Sequence, residues 1–286
     1  MLKKHLFLMK PNNQQTNITA IIDKVMETYD YQIIITKSKE HLMEIIEINK
    51  QSNMRIYAIG GDGFIHYLIQ NMIYTNLELV VLANGTGNDF IRSLEASNNI
   101  KTALENSLKQ ESQFMDIIKA NDTYLINSFC FGIDSETAAY VHRYKKIPLM
   151  PSSLQYGYVL LRRLMHYKFY PIKVHNDTFA YQEPILIGAI CNGKYYGGGF
   201  NICPDALLDD GYFDITLIKG IHRLSVPRHL FLIAIGKLNK SNSVTMTKQK
   251  EIIVHSKSEV NMDGEVYPAG EYHLTLIPKG IYIVKG

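Results

Sequence analysis

The chain has 286 residues, of which 46% are hydrophobic and 20% are charged, and its formal net charge is +3. This composition is typical of a globular protein with one large domain or two, and the small charge gives no argument for nucleic acid as a partner. The three cysteines have no paired short spacing, so they predict neither a disulfide framework nor a zinc site and favour a reducing compartment.

The amino-terminal apolar stretch is too short for a signal peptide, and no apolar run approaches the roughly 20 residues that span a bilayer. We therefore expect a cytoplasmic protein, with contact at a membrane surface left open.

Strands alternate with helices from His5 to about Ile118. This alternation predicts a parallel sheet covered on both faces by helices. The predicted strands are Leu6–Met9, Tyr31–Ile35, Arg55–Ile59, Leu79–Leu82 and Phe114–Ile118, and the predicted helices are Thr16–Thr28, Glu40–Asn49, Phe64–Tyr74, Phe90–Leu94 and Ile100–Leu108.

A glycine turn, Gly60-Gly61-Asp62-Gly63, follows the third predicted strand and precedes a helix. Unpaired backbone N–H groups and the positive end of a helix then meet at one point, where a phosphate can bind. A tight turn without a ligand is the alternative, because glycine also serves turns that need positive φ.

A second polar turn, Asn84-Gly85-Thr86-Gly87-Asn88-Asp89, follows the next strand. Two such strand ends in one open sheet face the same crevice, where α/β folds bind ligands. Asp62 and Asp89 fit a phosphate site only if a divalent cation or a hydroxyl donor lies between them and the phosphates. In the alternative interpretation, Asn88 or Asp89 caps the following helix.

From Thr123 onward the pattern changes to strands separated by Gly, Asn and Asp turns, which predicts an antiparallel sandwich or barrel. The domain boundary is placed near residue 122 by this change of period alone. The predicted strands are Tyr124–Phe131, Pro171–His175, Ile185–Cys191, Phe213–Ile218, Glu251–His255 and Tyr272–Ile277, with helical insertions at about Ser153–Tyr167 and Val226–Lys237.

Further polar turns in this half are candidates for cation binding or catalysis. The triple glycine at Gly197–Gly199 lets the backbone approach another group closely, and the carboxylates around Asp210 suit Mg²⁺. Asn261-Met262-Asp263-Gly264-Glu265 predicts a hairpin, in which Glu265 is a candidate general base. A plain turn between strands is the alternative at Asp210-Gly211.

Taken together, these motifs resemble the bacterial diacylglycerol kinases and sphingosine-kinase-like lipid kinases. The resemblance covers essentially the whole chain. It rests on Gly60–Gly63, Gly85–Asp89, Phe131–Asp134, Asn192–Phe200, Pro204–Asp214 and Asp263–Glu265, which occur in the family's order.

The resemblance implies an α/β nucleotide domain like those of phosphofructokinase and NAD kinases, followed by a β-sandwich domain. The first domain is expected to span 1–122, with a carboxyl-terminal strand at about 279–286 returning to it. The second is expected to span 123–278 and to supply the metal site and the catalytic base.

The resemblance also implies ATP and Mg²⁺ as cofactors and assigns roles by position. Asp62 and Glu265 are the expected catalytic residues, with Glu265 as the base that deprotonates the lipid hydroxyl. Arg92 and Lys194 are further candidates for phosphate contacts, with solvated surface charges as the alternative. The expected ATP-binding residues are Thr36, Gly60, Gly61, Asp62, Gly63, Phe64, Thr86, Asn88 and Asp89, and the expected metal ligands are the carbonyls of Leu207 and Tyr212 and the carboxylate of Asp210.

The sequence departs from the family pattern at three places that the resemblance assigns to nucleotide binding. Phe64 and His66 replace the usual Thr and Asn after the glycine turn, and Lys10-Pro11-Asn12-Asn13 replaces Asn-Pro followed by a small residue and glycine. Altered nucleotide binding is therefore expected, although Lys10 can still supply positive charge near the phosphates.

The expected acceptor is a membrane lipid alcohol, with diacylglycerol first. An amphipathic basic stretch, Ser153–Phe169, is a candidate for the bilayer surface, and packing on its own domain is the alternative. A soluble-substrate kinase related to NAD kinase and a weakly active nucleotide- or lipid-binding protein are the rival functions. A homodimer stays open.

Overall fold

The computed structural model describes residues 3–11, 14–85, 87–133, 135, 167, 169–220 and 225–286. The chain forms two compact units. The first contains residues 1–117, 208–210 and 277–286, and the second contains residues 118–207 and 211–276. The fold class is α/β followed by β, as predicted. None of the described helices is long and apolar enough to cross a bilayer.

The first unit is built around a parallel sheet with the strand order β17-β4-β3-β1-β2. The predicted strands and helices of this part are all present, with ends that differ by a few residues. The elements are β1 (Lys4–Met9), α1 (Gln15–Val25), β2 (Tyr31–Ile35), α2 (Lys39–Asn49), β3 (Met54–Gly60), α3 (Asp62–Ile69), β4 (Glu78–Ala83), α4 (Asp89–Ser93), α5 (Ile100–Ser107), the start of β5 (Gln113–Ala120) and the end of β17 (Gly270–Ile283).

Central strands of this sheet are buried along nearly their whole length, because helices cover both faces. Phe7 of β1 and Tyr57 of β3 are register partners, and their rings stack with centroids 4.2 Å apart. Ile18 and Ile22 of α1 pack in the same apolar cluster. The apolar face of a regular amphipathic helix thus completes the core on one side of the sheet.

The strand order sets the position of the ligand crevice. From β1 the chain moves outward to β2 and then returns to the other side of β1 to form β3, so the direction of the order reverses between β1 and β3. Open α/β sheets bind ligands at the carboxyl ends of the strands that flank such a reversal. Met9, Gly60 and Ala83 end β1, β3 and β4 at this edge.

At the opposite edge of the same sheet lies a buried ion pair. Arg55 of β3 donates from Nε to Glu78 of β4 at 2.8 Å, and both side chains are under a tenth exposed. Lys3 also donates to Glu78, and Ser112 does so at 2.8 Å. Burial raises the pKa of Glu78, but the hydrogen bonds from Lys3, Arg55 and Ser112 outweigh it and hold the pKa below its usual value.

The second unit consists mainly of antiparallel strands. Its principal strand order is β16-β15-β7-β9-β8-β14-β17, with β12 pairing β9 and β13. The elements are the end of β5, β6 (Thr123–Leu125), β7 (Ser128–Gly132), β8 (Pro171–His175), β9 (Ala180–Cys191), β10 (Tyr195–Tyr196), β11 (Phe200–Asn201), β12 (Phe213–Lys219), α6 (Val226–Ala234), a 3₁₀ turn (Leu238–Lys240), β13 (Val244–Gln249), β14 (Glu251–Ser256), β15 (Val260–Met262), β16 (Glu265–Tyr267) and the start of β17.

Two sequence predictions in this unit are wrong. The single strand expected at Tyr124–Phe131 is divided into β6 and β7, because a buried carboxylate holds the backbone between them, as described below. The strand expected to begin at Ile185 begins at Ala180, and Pro184 is accommodated opposite Pro171 of β8. The helical insertion expected at Ser153–Tyr167 lies outside the described residues apart from Tyr167.

Candidate functional site

The first glycine turn lies at the carboxyl edge of the parallel sheet, as predicted. Gly61 is the N-cap residue of α3, and its carbonyl accepts the N–H groups of Phe64 and Ile65 at 2.9 and 3.2 Å. Gly61 has no side chain to cap the helix, and Asp62 is the acidic residue of the first turn. The backbone N–H groups and the positive end of the dipole at such a helix start favour an anion.

The two glycine turns touch each other through their backbones. A Cβ atom on Gly85 would lie 2.5 Å from the Cα of Gly61, and a Cβ on Gly61 would lie 3.2 Å from the Cα of Gly85. Real Cβ atoms do not approach a backbone atom to 2.5 Å, so Gly85 is required by packing. The sequence suggested glycine for phosphate approach, and the structure adds close contact between the turns.

Asp62 joins the two turns by capping the helix that follows the second one. Its Oδ2 accepts the N–H of Asp89 at 3.3 Å, and its Oδ1 accepts the N–H of Phe90 at 3.2 Å. Asn88 is the N-cap residue of α4, as in the alternative interpretation, but its side chain makes no capping hydrogen bond. Asn88 has left-handed backbone (φ 55°, ψ 38°), and its side chain turns back to exchange hydrogen bonds with Gly85.

Arg92 braces the second turn from within α4. Its Nη1 donates to the carbonyl of Gly87 at 2.8 Å and to Oδ1 of Asp89 at 3.0 Å. The Asp89 side chain is 8% exposed and that of Arg92 is 39% exposed. The charge of Asp89 is therefore balanced locally, and Arg92 keeps other N–H groups that can reach solvent or an anion.

A cavity of about 350 Å³ lies in the first unit, beside Phe64 in the first turn of α3. Within the described part of the chain, three lysines and no acidic side chain line it. Nζ of Lys10 lies 5.8 Å from the ring centroid of Phe64, and Nζ of Lys39 lies 5.0 Å from that of Tyr67. The lining residues are Lys10, Pro11, Thr36, Lys37, Ser38, Lys39, Leu42, Phe64 and Tyr67.

Lys37 and Lys39 were not among the sequence candidates. Lys37 follows Thr36 directly after β2, and Lys39 begins α2 two residues later, so their place at the same sheet edge could have been inferred from the strand ends. Ser38 between them caps α2 by accepting the N–H of His41 at 3.2 Å. This cap fixes the start of α2, with Lys37 just before the cap and Lys39 as the first residue of the helix.

Two of the expected nucleotide ligands, Thr36 and Phe64, lie in this cavity. Thr36 is 3% exposed, and its hydroxyl donates to the carbonyl of Met9 at 3.2 Å, so it ties the ends of β1 and β2 together. Phe64 is 2% exposed and covers Gly60, where a Cβ would lie 2.6 Å from the Cβ of Phe64. Thr86, a third candidate, lies outside the described residues.

In the second unit, the segment from Asn261 to Glu265 forms a tight hairpin, as predicted, with Asp263 in its turn. Asp263 and Gly264 both have positive φ (49° and 95°), and Met262 pairs with Glu265 across the turn. This is the geometry of a two-residue type I′ turn, for which Asp-Gly is a preferred sequence. The hairpin places Glu265 half-buried at the start of β16.

The Asp263 carboxylate organises the break between β6 and β7. Its oxygens accept the N–H groups of Ile126, Asn127 and Ser128 at 2.9, 2.9 and 2.8 Å. Asp263 is only 2% exposed. Asp263 therefore holds the fold at this break, and Glu265 lies two residues further along, at the start of β16.

The turn that carries the expected metal ligands has the donor chemistry for a hard cation. Leu207 and Tyr212 offer backbone carbonyls and Asp210 a carboxylate, and all are oxygen donors of the kind Mg²⁺ prefers. Gly211 has φ 78°, and the carbonyl of Leu208 accepts the N–H of Asp116 at 2.8 Å, which anchors the turn. No group of three His, Cys, Asp or Glu side chains among the described residues forms a metal site, and this set contains only one carboxylate.

The triple glycine, Gly197–Gly199, connects β10 and β11. All three residues have positive φ, at 63°, 89° and 109°, and a Cβ on Gly198 would meet nothing within 4 Å. The conformation of the turn therefore accounts for these glycines.

Family models and known proteins match nearly the whole chain. Residues 6–120 match the diacylglycerol kinase catalytic domain, and residues 127–285 match the YegS C-terminal NAD kinase beta sandwich-like domain. A Shewanella frigidimarina protein described as "Probable lipid kinase YegS-like" is 32% identical over 254 residues, which cover 87% of this chain and 82% of that protein.

Solved structures share the fold. A diacylglycerol kinase from Bacillus anthracis superposes with a TM-score of 0.78 at 23% identity, covering 99% of this chain and 97% of that one. An NAD kinase from Archaeoglobus fulgidus, solved in complex with ATP, superposes with a TM-score of 0.54 at 13% identity, covering 99% and 93%. At these identities the structures establish the α/β and β-sandwich architecture alone.

Proposed function

This chain belongs to the bacterial lipid kinase family that carries the diacylglycerol kinase catalytic domain, and we propose that it transfers the γ-phosphate of ATP to the hydroxyl of a lipid alcohol, with diacylglycerol as the first candidate. The observation that supports phosphoryl transfer most directly is the basic cavity beside the uncapped end of α3. A polyphosphate needs cations and backbone N–H donors at one place, and this sheet edge supplies both.

In this proposal the nucleotide lies along the carboxyl edge of the first unit's sheet. Gly60, Gly61 and Gly63 let the backbone approach the phosphates, and Lys10, with Lys37 and Lys39, balances their charge. Asp62 and Asp89 keep the two turns in register. Thr36, Phe64, Thr86 and Asn88 complete the proposed binding residues.

Mg²⁺ is the proposed metal, held by the carbonyls of Leu207 and Tyr212 and the carboxylate of Asp210. When bound, such an ion supplies positive charge and fixed geometry to the turn that carries it. Asp210→Asn is expected to weaken Mg²⁺ binding, so that the reaction needs a higher Mg²⁺ concentration to reach half of its maximal rate.

Glu265 is the proposed general base. It accepts the proton of the lipid hydroxyl as that oxygen attacks the γ-phosphorus, and the bond from phosphorus to the bridging oxygen of ADP breaks. The products are a lipid phosphate, ADP and a proton, which Glu265 passes to solvent. Action at the surface of a membrane, from the cytoplasmic side, is the proposed setting, because the acceptor resides in a bilayer.

The test is transfer of labelled γ-phosphate from ATP and Mg²⁺ to a panel of lipid alcohols in mixed micelles. Glu265→Gln should remove most of the activity, whereas Glu251→Gln, a change at an exposed carboxylate of β14, should leave it unchanged. Labelled phosphatidic acid that disappears with Glu265→Gln would support the proposal. Label on NAD would favour a soluble-substrate kinase, which the shared fold of the Archaeoglobus enzyme makes the second candidate.

Phe64 is the reason to add a nucleotide-binding measurement to the transfer assays with lipid alcohols and NAD. It is a buried ring where the family usually has threonine, so wild-type turnover could be low while nucleotide is still bound. Binding of a fluorescent ATP analogue without transfer to any acceptor would favour a nucleotide-binding role. Recovery of transfer in Phe64→Thr would identify this ring as the cause.

A further inference from the structure

A second basic cavity lies in the second unit, formed by residues that the proposed kinase reaction does not use. Its volume is about 430 Å³, and it lies between the end of β12, the start of α6 and the segment that leads into β13. Among the residues that the structure describes, Lys219, Arg228 and Lys240 line it, together with no acidic side chain. The other described lining residues are three serines, one asparagine, one glycine and one histidine, so this part of the wall is polar.

The cations of this cavity exceed the charge available to neutralise them. Lys219 pairs with Glu183, with Nζ 2.9 Å from Oε2. Arg228 and Lys240 are exposed, and neither forms an ion pair with any carboxylate in the part of the chain that the structure describes. Two positive charges beside one cavity suit a dianion, and an arginine fork matches the oxygens of a phosphate.

The wall of the cavity is held in place by a buried histidine. His229 is 4% exposed, and its Nδ1 donates to the carbonyl of Ser225 at 2.9 Å. With that nitrogen protonated, Nε2 accepts the hydroxyl proton of Ser241 at 2.9 Å, and Ser241 Oγ accepts the N–H of Ser243 at 3.3 Å. The start of α6 and the segment 241–243 are thereby fixed to each other, so the cavity is preorganised.

The chemistry of the described lining suits a phosphate ester. Hydroxyl, amide and charged groups on this part of the wall can bind a phosphate with a short polar substituent. Ser225, at the N-cap of α6, makes no capping hydrogen bond with its side chain, so its hydroxyl can serve a bound anion.

We infer that this cavity, bounded by Arg228 and Lys240, binds a phosphate monoester. The ligand is either a free polar phosphate ester or the head group of a lipid phosphate, since both present the same dianion. Arg228 and Lys240 form the ion pairs, and His229 acts as a positioning residue that holds Ser241. The inference is independent of the proposed kinase activity, because none of these residues has a role in that reaction.

The experiment compares soluble and membrane-borne phosphate. Binding of sn-glycerol 3-phosphate is measured by isothermal titration calorimetry, and co-sedimentation is measured with phosphatidylcholine vesicles that contain or lack phosphatidic acid. The variant is Arg228→Ala with Lys240→Ala. The matched control is Lys237→Ala, which removes an exposed lysine near the same helix that does not line the cavity.

Wild type and Lys237→Ala should bind alike, and the double variant at least about tenfold more weakly, since two charge contacts are lost. If the double variant binds glycerol phosphate more weakly than wild type does, a soluble ester is a sufficient ligand. If its binding is weaker only with phosphatidic acid vesicles, the ligand is a lipid head group. Equal binding by the double variant and wild type would overturn the inference, as would no binding of either probe to wild type. If the thermal unfolding of the double variant is unchanged, its weaker binding reflects lost contacts and not lost folding. Displacement of the probe by ATP would place the probe in the other basic cavity and overturn the inference.

Discussion

Replacing Asp263 by asparagine should destabilise the second unit strongly, although the side chain keeps its size and shape. The carboxylate accepts three backbone N–H groups and is 2% exposed. An asparagine oxygen in the place of Oδ1 can still accept from Asn127 and Ser128. Its NH₂ group then occupies the place of Oδ2, where it faces the N–H of Ile126, so that two donors oppose each other.

The expected cost follows from these contacts. A buried N–H without an acceptor costs about 1–3 kcal/mol, and loss of a charge-assisted bond costs about 1.5–3 kcal/mol, with some overlap between the two. The two remaining bonds become neutral and weaken by about 0.5 kcal/mol each. We therefore expect the free energy of unfolding to fall by about 3–5 kcal/mol.

Urea denaturation followed by circular dichroism measures this change. With an m value of about 2 kcal/mol/M, the unfolding midpoint should fall by about 2 M. Glu265→Gln, two residues away, should shift the midpoint by less than about 0.3 M because its side chain is only half-buried. If Asp263→Asn unfolds at the wild-type midpoint, the assignment of Asp263 as the residue that holds the β6–β7 break is refuted.

Three further predictions concern the first unit. Gly85→Ala should weaken binding of a fluorescent ATP analogue at least about tenfold because its Cβ would meet the opposite turn at 2.5 Å, whereas Gly270→Ala, whose Cβ has its nearest neighbour at 3.9 Å, should bind normally. Glu78→Gln should lower the free energy of urea-induced unfolding by about 3–5 kcal/mol, since Arg55 keeps its hydrogen bonds to the carbonyls of Ser107 and Gln110 but is buried without a counter-charge; a wild-type midpoint would contradict this. His5 should make the first unit less stable in acid. Burial and the nearby positive charges of Arg55 and Lys3 lower the pKa of His5 from 6.5 to about 4. The neutral imidazole therefore stabilises the fold above pH 6.5, and this contribution is lost as the pH falls toward 4. The full shift corresponds to about 3 kcal/mol, reduced to about 2 by solvent screening, and His5→Gln should flatten this part of the pH profile.

The first unit could be predicted from sequence almost element by element. Its strands are short apolar runs buried on both faces, and its helices show the 3.6-residue period, so local pattern and tertiary structure agree. The two glycine turns were placed correctly for the same reason. The contact between Gly61 and Gly85 could not be predicted, because it depends on the separation of β3 and β4 at their ends.

The second unit was harder because its deciding interactions join distant residues. Asp263 divides the strand expected at Tyr124–Phe131, and no local pattern near residue 126 indicates an acceptor more than a hundred residues away. β13 was missed because its residues are polar or half-buried and lack a clear alternation. Asp62 as the cap of α4 is a third case, since the nearer Asn88 is the better candidate by sequence alone.

The 14-residue strand β17 pairs with β14 of the second unit through Gly270–Thr275 and with β4 of the first unit through Tyr282 and Ile283. During synthesis on the ribosome, β1 to β4 emerge early, but the strand that completes their sheet emerges only after the whole second unit. Until then β4 presents an unpaired edge, and such edges are prone to pairing with other chains. Early folding of the nascent chain therefore leaves the sheet of the first unit unfinished, and a chaperone that shields this edge during translation should raise the yield of folded protein.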